Sequence, residues 1–172
     1  DIPDGQLVVV RGVYAVKDPD ANGTASALHD LSVNGITLLG REVLARWWTD
    51  DAVGDASDLL NAANTYFIAV KGTGGGTLRV EGEINLANQV TLGAFINGCN
   101  IDASDAYFNA IAGGSLTATN ALVIVSGRDA IHRLGTINAN RLCSGWQLHG
   151  ITNSAIIGPV FRSPASGGFG VK

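Results

Sequence analysis

Residues 121–172 repeat themselves, and that self-match limits the fold more than any other feature of the chain. At an offset of 23 residues, Val123 falls on Trp146 and then on Phe169. Val125 falls on Leu148 and then on Val171, Gly127 on Gly150, Leu134 on Ile157, Gly135 on Gly158 and Ile137 on Val160. Apolar meets apolar and glycine meets glycine, with polar or small residues between. A fixed period in the range of about 20–50 residues is the mark of a solenoid. Within each repeat the apolar residues alternate, so each piece reads as a strand with one buried face. No helical pattern lies between the strands. The expected fold is therefore all-β, a right-handed parallel β-helix whose turns stack on one another.

The pattern extends backwards with small slips, Cys99 and Ile101 preceding Val123 and Val125, and Leu78 and Val80 preceding Cys99 and Ile101. It predicts an inward set of Leu78, Val80, Cys99, Ile101, Val123, Val125, Ile137, Trp146, Leu148 and Val160. Ile124 and Phe161 are expected to face outward. The competing arrangement is a β-sandwich of short strands.

Composition fits a packed domain. Hydrophobic residues make up 46% of the 172, and 23 glycines against four prolines point to tight turns rather than disorder. A net charge of −4 with no basic patch argues against nucleic acid as a partner. No apolar run is long enough for membrane insertion. The two cysteines, Cys99 and Cys143, lack metal-ligand spacing and read as lone buried thiols; no cofactor motif is visible. The chain has no methionine and stops where Phe169 to Lys172 copy Trp146 to His149. It is expected to be a piece of a longer protein that continues past Lys172.

Residues 1–50 read as a small β-rich module. The run QLVVVRGVYAV (6–16) is strand-like and broken at Gly12, KDPDANGT (17–24) is a loop, and Asn34-Gly35 between alternating apolar residues signals a hairpin. EVLARWW (42–48) suits a short helix or a strand. Residues 51–172 read as a capping helix and the first turns of the solenoid. Asp55 or Ser57 can cap a helix to about Val70, with Leu59, Leu60, Ala63, Phe67 and Val70 on one face. An amphipathic helix there hides the exposed end of the first turn. The glycines of 71–77 lack the GxxxxGK[ST] pattern of a phosphate loop and stand in the wrong order relative to helix and strand.

Residues 55–86, GDASDLLNAANTYFIAVKGTGGGTLRVEGEINL from Gly54, carry a family likeness. This run resembles the entry to the pectate-lyase-like β-helix of bacteriophage tailspike proteins. There an aspartate precedes a capping helix, a glycine-rich turn follows, and a strand leads to a G-x-Y-x-L-type step. Gly82-Glu83-Ile84-Asn85-Leu86 stands in that step, with Ile84 where an aromatic is common. The likeness spans residues 55–172. It implies a homotrimer in the virion tail, made in the bacterial host cytoplasm, that recognises and often cleaves bacterial surface polysaccharide. Residues 1–50 would then face the virion and meet the phage tail or baseplate. Bacterial polysaccharide lyases and epimerases share the entry pattern, and two alternatives compete: a polysaccharide lyase or glycoside hydrolase with its active site on the β-helix, and a non-phage β-helix surface adhesin.

Candidate site residues come from the outward positions. Asp105 and Asp129 stand in similar local contexts, and two carboxylates one turn apart would suit a retaining glycosidase at about 5 Å separation. Capping of turns by their own side chains is the competing role. Asp102, Ser126, His149 and Lys172 form a column by offset, but its serine is the middle member where a triad needs the histidine. Asp129, His132 and Arg133 within one turn, and Arg141 and Arg162 in later turns, can line a groove for acidic sugars; a solvated turn is the competing reading for each. Trp47 and Trp48 can either pack the N-terminal module or offer sugar rings a stacking face. The expected outcome is that this chain alone does not cleave polysaccharide, while the longer parent does.

Overall fold

The computed structural model describes residues 7–10, 13–17, 36–38, 42–49, 54–70 and 75–172. The described residues are mostly β, with parallel sheets and two helices. An antiparallel sheet of β1 (Leu7–Val10), β2 (Val13–Lys17) and β3 (Ile36–Leu38) comes first, in the order β1-β2-β3. Val10 pairs with Val13; the expected break at Gly12 lies outside the described residues. The loop at 18–24 and the Asn34-Gly35 turn lie outside the described residues; β3 pairs with β2.

The remaining strands form three parallel sheets. One holds β4 (Glu42–Leu44), β5 (Thr77–Arg79), β8 (Asn100–Asp102), β11 (Ile131–Arg133) and β14 (Ala155–Ile157). A second holds β6 (Gly82–Leu86), β9 (Ala106–Ala110), β12 (Thr136–Asn138) and β15 (Val160–Arg162). The third holds β7 (Val90–Asn97), β10 (Ala121–Arg128) and β13 (Ser144–Thr152). From β5 onward the chain visits the three sheets in one repeating order. Because β4 pairs with β5, the first sheet reaches back across residue 50.

One core unites these sheets, since inward side chains from all three are buried or partly buried and stack on their register partners. Leu78, Ile101, His132 and Ile156 form one inward column. Ile84, Phe108, Ile137 and Phe161 form another, and Leu92, Val125 and Leu148 a third. Most of the expected inward set is buried, with Leu148 partly so. Val160 is the exception, 43% exposed, because Ile137 pairs with Phe161 and not with Val160. Phe161, expected outside, packs against the core, whereas Ile124 keeps its outward place between Thr91 and Gln147. Likewise Leu134 is not paired with Ile157, whose partner is Arg133, and Val171 bridges Trp146 rather than Leu148. Cys99 is buried at the corner before β8, and Val123 pairs with Val90, so those two positions are not equivalent. The cause is an exposed loop at 111–120 between β9 and β10, which lengthens that turn. Its Ser115 backbone N–H and hydroxyl both donate to the Asn88 side-chain oxygen. Both cysteines are buried and unpaired, and burial pushes the Cys143 thiol up to about 11.

The helices cover what the sheets leave open. Helix α1 (Arg46–Thr49) buries Trp47 and Trp48, and Trp48 packs its ring against Tyr66 at 5.2 Å. Helix α2 (Ser57–Val70) buries Leu60, Ala63, Tyr66 and Phe67. It runs beside β7, an edge strand with unpaired backbone groups. Asn64 Oδ1 accepts from Gly93 N at 2.7 Å and its Nδ2 donates to Gly93 O at 3.4 Å. Asn61 Oδ1 accepts from Thr91 N at 3.2 Å. The two asparagines thus take the place of a neighbouring strand.

Asp55 holds the start of α2 to the second sheet. Its Oδ1 accepts from Ser57 N and from Ala87 N, both at 2.9 Å, and Oδ2 accepts from Asn88 Nδ2 at 3.2 Å. Burial raises the Asp55 carboxyl, but the hydrogen bonds from Ser57, Ala87 and Asn88 outweigh it and hold the group below its ordinary value. Asp55→Ala removes the cap and leaves the buried Ala87 N–H without its partner, so urea melts should lose about 1–3 kcal/mol at neutral pH. A carboxylate with a depressed folded-state pKa stabilises above its unfolded value, here near 3.8, and that stability is lost as pH falls below it. The difference between wild type and variant should therefore shrink on acidification through that window.

Candidate functional site

Outward side chains at the corners between strands decide what the surface can bind. After β10 the chain turns at Asp129, and after β13 it turns at the matching position, Asn153. Both adopt left-handed backbone, φ 47° and 49°, which aspartate and asparagine tolerate better than most residues. Their side chains meet: Asn153 Nδ2 donates to Asp129 Oδ1 at 2.6 Å. Alongside, Ala130 N donates to Ser154 Oγ at 3.1 Å, and that hydroxyl donates to Thr152 O at 2.9 Å. Asp129, Ala130, Ile131, Asn153, Ser154 and Ala155 line an open depression of about 600 Å³. A carboxylate, an amide and a hydroxyl on a shallow floor suit hydrogen bonding to a polyhydroxylated ligand. Sequence reading found Asp129 and missed Asn153 and Ser154. The available signal was the Asp129/Asn153 pair at equivalent corners.

Asp105 does not join Asp129. It lies in the turn between β8 and β9, a different corner of the stack, where its side chain is 3.8 Å from Arg79 Nη2. Arg79 also meets Glu81 at 3.1 Å and Glu42 at 3.9 Å, and Arg46 meets Glu81 at 3.1 Å. This exposed network ties β4, β5 and their corners together, and pairs of that kind contribute little each. The paired-carboxylate arrangement is therefore corrected: local sequence similarity does not make two corners equivalent. The Asp102–Ser126–His149–Lys172 column also dissolves. Ser126 and His149 are register partners on β10 and β13, whereas Asp102 is on β8, in another sheet, and caps its own turn through Ser104.

His132 faces inward. It sits between Ile101 and Ile156, 0% exposed, and neither ring nitrogen has a hydrogen-bond partner. It cannot line a groove. Trp47 and Trp48 are likewise buried and present no stacking face. Arg133, Arg141 and Arg162 are exposed but scattered. Arg133 stands beside Asp102 and Ile157 in the first sheet, Arg162 beside Asn138 in the second, and Arg141 in the turn before β13. The three thus stand on separate elements.

Burial lowers the His132 pKa below its ordinary value. The folded protein keeps the ring neutral, while the unfolded chain takes a proton near pH 6.5. Stability is thus full above that value and falls as pH drops toward the lower folded-state pKa. His132→Leu keeps the volume and removes two unpaired polar atoms, which should raise stability by about 1–2 kcal/mol. The check is thermal melting at pH 7.5 and 5.5. The variant should melt higher at both, with the larger gain at pH 5.5.

Comparison with protein-family models, with curated proteins and with solved structures finds no match to this chain.

Proposed function

We propose that this chain is the entry region of a right-handed parallel β-helix in a homotrimeric bacteriophage tailspike, and that it binds bacterial surface polysaccharide. The observation that carries this reading is the repeating order in which the chain feeds three parallel sheets. Successive strands of one sheet are joined by chain that passes through the other two, and such parallel crossovers are right-handed in nearly all proteins. Helix α2 across the β7 edge supports the same reading, since it matches the capping helix of the tailspike entry pattern. Trimerisation draws support from Ile131, Ile157 and Val160, exposed on outward faces where a subunit contact can cover them. The virion tail is then the location, and polar corners such as Asp129–Asn153 are the surface for sugar hydroxyls.

Binding without cleavage is the expected activity of these 172 residues, because Asp105 and Asp129 sit at separate corners. Sedimentation equilibrium across micromolar concentrations should give a trimer. Incubation with capsule and O-antigen from a panel of bacteria should give retention on the polysaccharide and no new reducing ends or unsaturated uronate. A monomer at all concentrations, or no retention on any polysaccharide, counts against the reading.

A further inference from the structure

The outward face of the β13-β10-β7 sheet carries a feature that regular stacking does not require. Ser126 on β10 pairs with Gly93 and His149, and Arg128 pairs with Asn97 and Thr152. Between those two positions β7 and β13 each hold more residues than β10, so both strands bulge on either side of Gly127. Bulges re-aim side chains and are common beside functional sites. Here they bring Phe95, from β7, past β10 to β13. Its ring meets His149 edge-on, 4.8 Å between centroids. It also lies so close to Gly150 that a Cβ there would fall 1.5 Å from Phe95 Cε1, and Gly150 has φ +63°. Only glycine leaves room for the ring. Phe95 nonetheless remains 46% exposed.

The charge on this face is one-sided. None of its three strands contains aspartate or glutamate, although the chain has 15 acidic residues against 11 basic. Arg128 stands exposed on β10. The neighbouring carboxylate, Asp129, turns the corner and accepts from Asn153.

Resting on the polysaccharide reading above, we propose that Phe95, His149 and Arg128 form a subsite for an anionic sugar residue. The sugar's apolar face stacks on Phe95. Its carboxylate meets the Arg128 guanidinium, whose planar fork suits a carboxylate better than lysine's point charge. His149 offers an imidazole N–H at the edge of the stack. This site adjoins the Asp129–Asn153 corner, so a chain of sugars can run from one to the other.

The test uses tri-galacturonate, its methyl ester (the same rings without charge) and whole acidic capsule, titrated calorimetrically against wild type, Phe95→Ala and Arg128→Gln. Both substituted side chains are exposed, and unchanged melting confirms the fold. Wild type should bind the acid at least about fivefold more tightly than the ester. Arg128→Gln should abolish that preference, and Phe95→Ala should weaken both ligands by about tenfold. If capsule binds and neither variant changes its affinity, the subsite is overturned while the polysaccharide reading stands. A preference for the uncharged ester likewise overturns it. If no saccharide or capsule binds wild type, the polysaccharide reading fails and the subsite with it.

Discussion

Val125→Asp should abolish cooperative folding of this protein. Val125 is fully buried on β10, the middle strand of its sheet, with Leu92 and Leu148 as register partners above and below. An aspartate there has no cation within the apolar column to meet it, and an unpaired buried charge costs about 3–5 kcal/mol when a partner is missing. The lost valine packing adds to that. Typical domains have only about 5–15 kcal/mol in total, so a middle-strand lesion takes a large share. Strands on both sides depend on β10 for their backbone hydrogen bonds, so the damage cannot stay local. Circular dichroism should show no sharp melt, or one far below wild type. Melting like wild type would mean that residue 125 faces solvent, and the register of all three strands would be wrong. Ile124→Asp is the matched control. That side chain is half-buried in the outward column, and the substitution should be far milder.

How much of this was legible beforehand follows from which residues keep the period. Val123 and Val125 do pair with Trp146 and Leu148, because those strands are separated by a turn of unaltered length. The slip at Ile137, which pairs with Phe161, comes from one added residue in β13 opposite Gly127, where the offset passes from 23 at Ser126–His149 to 24 at Arg128–Thr152 and stays there; Val160 and Phe161 are both apolar, so pattern alone cannot choose between them. The larger error, Cys99 equated with Val123, comes from the 111–120 loop, whose length no periodicity reveals. His132 misled for a different reason. A polar residue in an inward column breaks the very alternation that marks the column, so it reads as surface. The α2 helix was legible from Asp55 and its apolar face. The roles of Asn61 and Asn64 on the β7 edge were not, since an asparagine on a helix gives no sign of which backbone it will meet. Phe95 was missed because its position depends on the bulges of β7 and β13 against β10, a property of pairing rather than of local sequence.

Trp146→Ala should be the most damaging truncation on β13. Trp146 is fully buried, and its ring stands edge-on to Phe108 at 5.6 Å, so it links the third sheet to the second across the core. Its indole Nε1 donates to Val160 O at 3.3 Å. The backbone at the same residue holds the end of the chain: Trp146 N donates to Gly170 O at 2.8 Å and Lys172 N donates to Trp146 O at 3.0 Å. Truncating a buried tryptophan to alanine costs about 3–5 kcal/mol, which for a chain of this size corresponds to a melting temperature lower by roughly 6–20 °C. Trp146→Phe keeps a ring against Phe108 and loses the indole N–H, so its loss should be distinctly smaller. Hydrogen exchange should accelerate first at Gly145, Trp146, Leu148 and Lys172, whose amides pair β13 with residues 169–172 or the reverse. Because β13 also carries His149 and Gly150 beneath Phe95, the alanine variant should weaken binding of acidic saccharide as well, without touching the ligand. A loss under about 1 kcal/mol, with exchange unchanged, would mean that the tryptophan is not bridging the two sheets.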